Sequence, residues 1–408
     1  MSDTQRTLFA GLLIALLTLT IPFYLQFIGV NTEAVDGDND IDNQNIVDNS
    51  GPELSELSGS FSLQEKVEDV LANNTNQKTI LIQTDKFEID LSNYHGGSLN
   101  SIRLNADLPN QETNYQYIGG YNLKGTYDFN ESTLLFNQTN SCSPCLMLEN
   151  VELGSSFWAV DELALYKNGI KKTLNIMEYK PLLNLDDADS AVVSMSWAMD
   201  PVHSVRFYKS TTFYSNSFII QHNYKISNLT EDVGVAWFGG MMPTEQNLTE
   251  EITYSQAFVA QNKEISDISL SPSKIEDVAE KLSLRGNTDW VAMRTKFFGM
   301  VMIPSQSADY VDLSSKNLNF RSEEDVTPIY SAALGGYSIK NSSLHITTYL
   351  GPLDVEHIDR LADGSVGDIM NFGWSIIKPF SRFVLWVVKS LHNILPLNYG
   401  FILIIIAL

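Results

Sequence analysis

The sequence predicts a mainly β protein: a large antiparallel sandwich held between an apolar helical head and a basic amphipathic tail. Three observations carry this. From Lys78 onward, run after run alternates apolar and polar side chains, the period of a strand with one buried face. Gly- and Asn-rich breaks separate the runs, as turns require. Charge is absent from Thr7 to Thr32, and acids are absent beyond Asp368, so both extremities differ chemically from the body.

The chain has 408 residues and a formal net charge of -23. So acidic a protein lacks the basic face that phosphate neutralisation needs, and nucleic acid is excluded as a partner. The charge is unevenly placed. Residues 1–32 balance Asp3 against Arg6, residues 33–77 set eleven acids against Lys66 alone, and the tail holds only Lys378, Arg382 and Lys389.

Residues 1–32 contain an uncharged run long enough to span a bilayer as a helix, which needs about 20 apolar residues. The run is longer than a signal-peptide core, and no small-x-small site follows it in PFYLQFIGVN, so an uncleaved anchor is expected. Arg6 before the helix, with no cation for more than thirty residues after it, places the N-terminus inside and the body outside. Residues 33–77 (EAVDGDNDIDNQ at their start) are acidic and poor in aromatics. They cannot bury enough apolar surface to offset chain entropy, and read as a flexible linker with a weak helix around SLQEKVEDVLAN.

Residues 78–368 form the β body. TILIQTDKFEIDLS (79–92), SAVVSMSWAMD (190–200), SVRFYKSTTFY (204–214), FIIQHNYKISN (218–228) and SIKNSSLHITTYLG (338–351) all alternate. In the fourth, Phe218, Ile220, His222, Tyr224 and Ile226 share the apolar face. NYHGG, YKNG and ALGG read as turns, and SKIEDVAEKL as a short helix.

Chemistry-bearing residues are sparse. Cys142 and Cys145, in CSPC, could close a local disulfide in an oxidising compartment, stay as two thiols, or form a redox motif. Zinc would need two further ligands, and no His or other Cys lies near. His95, His203, His222, His345 and His357 are scattered without metal-ligand spacing, and His222 reads as a core residue. Neither a nucleophile elbow nor a phosphate or dinucleotide loop appears. No catalytic residue, cofactor or metal is expected.

The tail, residues 369–396, includes WSIIKPFSRFVLWVVKSLHNIL. On a helix, Lys378, Arg382, Lys389 and His392 fall within an arc of about 80°, flanked by Phe383, Trp386 and aliphatic residues. A narrow basic stripe on a broad apolar surface is the pattern of a helix lying in a membrane interface. Lys378, Arg382, Trp386, Lys389 and His392 are the candidate interface residues; an amphipathic helix packed on the body is the competing reading. Within residues 397–408, Tyr399 to Leu408 run almost wholly apolar, at about 15 Å half the length a bilayer core demands.

Several segments together resemble one family. They are the anchor after MSDTQRTL, TDKFEIDLSNYHGGSLNSIRL (84–104), DWVAMRTKFFGMVMIP (289–304), TTYLGPLD (347–354) and NFGWSIIKPFSRFVLWVVKSLHNILPLNYGFILIIIA (371–407). In this order they are similar to the YidC-type membrane protein insertases of Gram-negative bacteria. The resemblance implies a periplasmic domain folded as a supersandwich like galactose mutarotases, a basic helix flat on the periplasmic face of the inner membrane, and a second spanning helix opening at residues 397–408.

It further implies a non-enzymatic insertase and chaperone, acting alone or with the Sec translocon. Its partners would be the lipid bilayer, nascent membrane proteins and translocon components. The family's groove, with an arginine in the second spanning helix, would lie past Leu408, so the chain is expected to be an N-terminal portion. One tension stands: Lys378, Arg382 and Lys389 would sit outside, against the positive-inside tendency. The alternative is a membrane-anchored, mutarotase-like carbohydrate-binding protein or epimerase, which needs a His and a carboxylate converging in a cleft.

Overall fold

A computed structural model describes residues 77–407, apart from residue 95 and segments 106–116, 122–125, 138–142, 149–155, 178–180, 201–204, 270–280, 320–325, 339–342, 371–377 and 395–398. The expected anchor (1–32) and nearly all of the linker (33–77) lie outside the described residues, as do Cys142, His95 and His203.

The first strands are β1 (Thr79–Gln83), β2 (Phe87–Ser92), β3 (Ser98–Leu104), β4 (Ile118–Tyr121), β5 (Tyr127–Ser132), β6 (Leu134–Asn137) and β7 (Cys145–Leu148). Next come β8 (Ala159–Lys167), β9 (Ile170–Thr173), β10 (Leu182–Asn184), β11 (Ser190–Asp200), β12 (Val205–Tyr214), β13 (Ile219–Ser227) and β14 (Val233–Trp237). The last are β15 (Gln256–Gln261), β16 (Glu264–Ile268), β17 (Lys281–Arg294), β18 (Phe298–Pro304), β19 (Ala308–Asn319), β20 (Val326–Tyr337) and β21 (Ser343–Pro352). Helices α1 (Leu248–Ile252), α2 (Val355–Ile358), a 3-10 segment (Ala362–Ile369), α3 (Lys378–Ile394) and α4 (Tyr399–Ala407) complete the description.

The fold is mainly β and almost entirely antiparallel. A five-stranded sheet runs β10-β1-β2-β3-β6, with β1 and β10 its parallel pair. A fourteen-stranded sheet runs β7-β14-β20-β19-β17-β18-β21-β13-β12-β11-β8-β9, with β15 and β16 branching from β17. One apolar core joins the two, from Ile80, Ile89, Leu99 and Ile102 on the smaller sheet to Phe207, Phe213, Ile220 and Val301 on the larger. Burying each such side chain contributes about 1.5–3 kcal/mol, which is why strict alternation fixes strand register.

Local sequence explains the connections. Thr84 closes the β1–β2 turn, its hydroxyl accepting from the N–H groups of Lys86 (3.1 Å) and Phe87 (2.8 Å). The NYHGG turn needs glycine twice over: Gly96 has φ +81°, and a Cβ there would stand 2.8 Å from the Trp158 ring. YKNG is the β8–β9 hairpin turn, with Asn168 and Gly169 both at positive φ.

ALGG differs from expectation. It lies inside β20 rather than in a turn. Gly335 leaves room for the Tyr310 ring, and Gly336, at φ +85°, sits where the β14–β20 register shifts. Lys281 and Leu282, at the end of SKIEDVAEKL, open strand β17 rather than close a helix, and the rest of that stretch is not described. No helix among the described residues is long and apolar enough to cross a membrane.

Candidate membrane-facing site

Helix α3 has 17 residues, about 25 Å, with Pro379 in the first turn, where its missing N–H is harmless. Its flanks differ. Val388 is buried, whereas Phe383 and Trp386 are 57% and 64% exposed, their rings stacked at 6.1 Å. Helix α4 packs against α3 and buries Ile402, leaving Phe401, Leu403 and Ile404 more than half exposed. Five large apolar side chains thus face outward on two neighbouring helices, an exposed patch of the kind that marks an interaction surface.

The predicted interface residues are not equivalent. Lys389 is half-buried, and its ammonium donates to Asp354 Oδ1 (3.2 Å) and Glu356 Oε1 (2.9 Å) at the start of α2. Burial disfavours the Lys389 cation, yet the bonds to Glu356 and Asp354 outweigh it and raise the pKa. Asp354 mirrors this: burial opposes its charge, but the N–H of Glu356 and Lys389 hold its pKa below the usual range. Asp354 also caps α2 through that N–H (3.0 Å). Upstream, Leu353 N–H donates to Phe297 O (2.7 Å) in the β17–β18 turn, so the clamp is rooted in the large sheet. His392 is part-buried on α3; Lys378 and Arg382 lie in the same helix, their side chains outside the description.

A second polar cluster is enclosed in the sandwich. Lys209, in phase with Phe207, Thr211 and Phe213 on β12, is buried. Its ammonium donates to Gly97 O (2.9 Å) and Pro144 O (3.2 Å) and lies 5.1 Å from the centroid of the Tyr224 ring. Burial pushes its pKa down to about 7. His222 lies beside it, Nδ1 3.3 Å from Thr211 Oγ1, and burial, then the Lys209 charge, hold the imidazole well below its ordinary pKa. Its charged neighbour is a lysine, not a carboxylate, so the pair lacks the acid–base partner of a mutarotase-like site. Cys145, next to Pro144, is disulfide-bonded; Cys142, the other cysteine of the sequence, lies outside the described residues.

Elsewhere, Glu251 of α1 is buried, accepting from the N–H groups of Thr244 and Glu245 at 2.9 Å, and burial pushes its pKa up to about 7. A small crevice of about 10 Å3 is lined by Met241, Met293, Arg294, Thr295 and Tyr330 among others, with neither a carboxylate nor an imidazole in its wall. No group of metal-ligating side chains occurs among the described residues. Sequence reading missed Lys209, although its phase on β12 was visible. It also missed Asp354 and Glu356, whose partner is more than thirty residues away.

The profile of the YidC periplasmic domain family matches residues 167–387, from the end of β8 into α3. The chain belongs to this family. Relatives of the YidC periplasmic domain chain described here include the "Membrane protein insertase YidC" of Chlorobium limicola. It is 28% identical over 204 residues, covering 48% of this chain and 34% of the relative. The protein of the same name from Chlorobaculum tepidum is 23% identical over 341 residues, covering 81% and 51%. This YidC-family chain therefore spans a third to a half of the length of these curated relatives. Among solved structures, a galactose mutarotase related enzyme from Lactobacillus acidophilus is similar at TM-score 0.34 and 13% identity, covering 67% of this chain and 97% of that one.

Proposed function

We propose that this chain is the periplasmic and membrane-docking part of a membrane protein insertase. Residues 78–368 would form the periplasmic domain, 1–32 an N-terminal anchor, 33–77 a linker, 369–396 an interfacial helix and 397–408 the start of a second spanning helix. The observation that carries this reading is the outward-facing set Phe383, Trp386, Phe401, Leu403 and Ile404, next to a body of the matching family.

Lipid would receive that set, with Lys378, Arg382, Trp386 and His392 at the headgroup level and Lys389 turned to the body. The whole protein would lower the cost of moving polar groups of nascent membrane proteins into the bilayer, alone or with the Sec translocon. The body would supply partner contacts from the periplasmic side of a bacterial inner membrane, and the disulfide-bonded state of Cys145 suits that oxidising compartment.

Alkaline carbonate extraction of membranes carrying the full chain tests the reading. The chain is expected in the pellet; recovery in the supernatant overturns it. Reconstituted in liposomes, this portion is expected not to insert a small coat-type substrate, because the groove-forming helices are needed. Insertion by this chain alone would refute the division of labour.

A further inference from the structure

The basic stripe of α3 reads as a single headgroup-binding row, but Lys389 turns inward to Asp354 and Glu356. With about 100° per residue, Trp386 and Phe383 lie about 60° and 120° to one side of Lys389, and Val388 about 100° to the other. The helix therefore has an exposed aromatic flank, a pinned crest and a buried flank. A rotation that turned the aromatics away from lipid would have to break the pin or expose Val388.

We propose that Asp354 and Glu356 are positioning residues that take Lys389 out of the headgroup-binding set and fix the rotation of α3, so that Phe383 and Trp386 are presented to the bilayer. The inference rests on the lipid-docking reading above. Asp354 suits the role because its carboxylate is fixed twice, as the cap of α2 and as the partner of Lys389.

The test uses the full chain in vesicles of phosphatidylcholine and phosphatidylglycerol, with an environment-sensitive fluorophore on Ser390→Cys, on the aromatic side of the helix. Cys145 is disulfide-bonded and so does not take the label. Lipids brominated at a shallow or a deep acyl position quench the probe and report its depth.

Asp354→Asn with Glu356→Gln is expected to change the shallow-to-deep quenching ratio by about twofold or more, the scale on which a partly exposed ion pair biases two orientations. Asn keeps the cap, so the melting temperature of the body should hold. Lys389→Glu alone should give the same change, and Lys389→Glu with Glu356→Lys should restore the original ratio. An unchanged ratio in the neutralised variant, or no restoration in the swapped one, overturns the clamp and leaves the lipid reading standing. No quenching at either depth in any variant, the parent included, overturns the lipid reading and the clamp with it.

Discussion

Lys209 supplies the sharpest quantitative prediction. An ammonium enclosed between two sheets, held by Gly97 O, Pro144 O and the Tyr224 ring, has its pKa pushed down to about 7, against about 10.4 in an unfolded chain. Between these values the unfolded chain holds a proton that the native one has released. Stability therefore rises with pH across this window, opposite to a lysine that gains a carboxylate partner. From pH 7 to pH 9 the gain attributable to this one group is roughly 2 kcal/mol. Lys209→Met removes it.

Urea unfolding of parent and Lys209→Met proteins in non-ionic detergent, at pH 7, 8 and 9, isolates the effect, because other titrating groups cancel in the difference. The parent should gain about 2 kcal/mol on the variant over that range. Parallel stability curves would show that Lys209 stays charged in the folded protein, and the account of its burial would be wrong.

Glu251→Gln should show the reverse slope. The parent's carboxyl, pushed up to about 7, takes up a proton on folding, so its contribution is full below about pH 4.5 and declines towards pH 7; the variant should gain roughly 2–3 kcal/mol on the parent over that interval, by urea titration. Gly96→Ala combines a positive φ with a Cβ 2.8 Å from the Trp158 ring and should cost roughly 2–4 kcal/mol, read as a lower denaturant midpoint; a shift near zero would mean the turn relaxes freely. Phe383→Ala and Trp386→Ala should each weaken vesicle binding by about tenfold in a flotation assay while leaving the melting temperature of the body unchanged, since both rings are largely outside the fold.

Alternation made the strands legible. FIIQHNYKISN buries Phe218, Ile220, His222, Tyr224 and Ile226, the set its period dictates. VRFYKSTTFY carried the same message for Lys209, but a lysine in phase with phenylalanines reads against composition, and only the carbonyls of two distant loops explain its burial. ALGG misled because glycine marks both turns and close approach; the Tyr310 ring over Gly335 is a long-range fact. The basic stripe of α3 was readable, whereas the loss of Lys389 to Asp354 and Glu356 was not, since nothing local to either segment specifies the other. Likewise the order of the fourteen-stranded sheet is a matter of long-range pairing, which no window of residues contains.

That sheet has a further property in how it stops. The two ends of its main path, β7 and β9, are only four residues each, β9 displays two lysines with every side chain exposed, and the branch ends in β16, five residues with two acids. Such margins are short, and at β9 and β16 charged, which disfavours recruiting a stranger's strand by hydrogen bonding. Blunt margins of this kind keep extended polypeptide that meets the sheet from becoming extra strands of it.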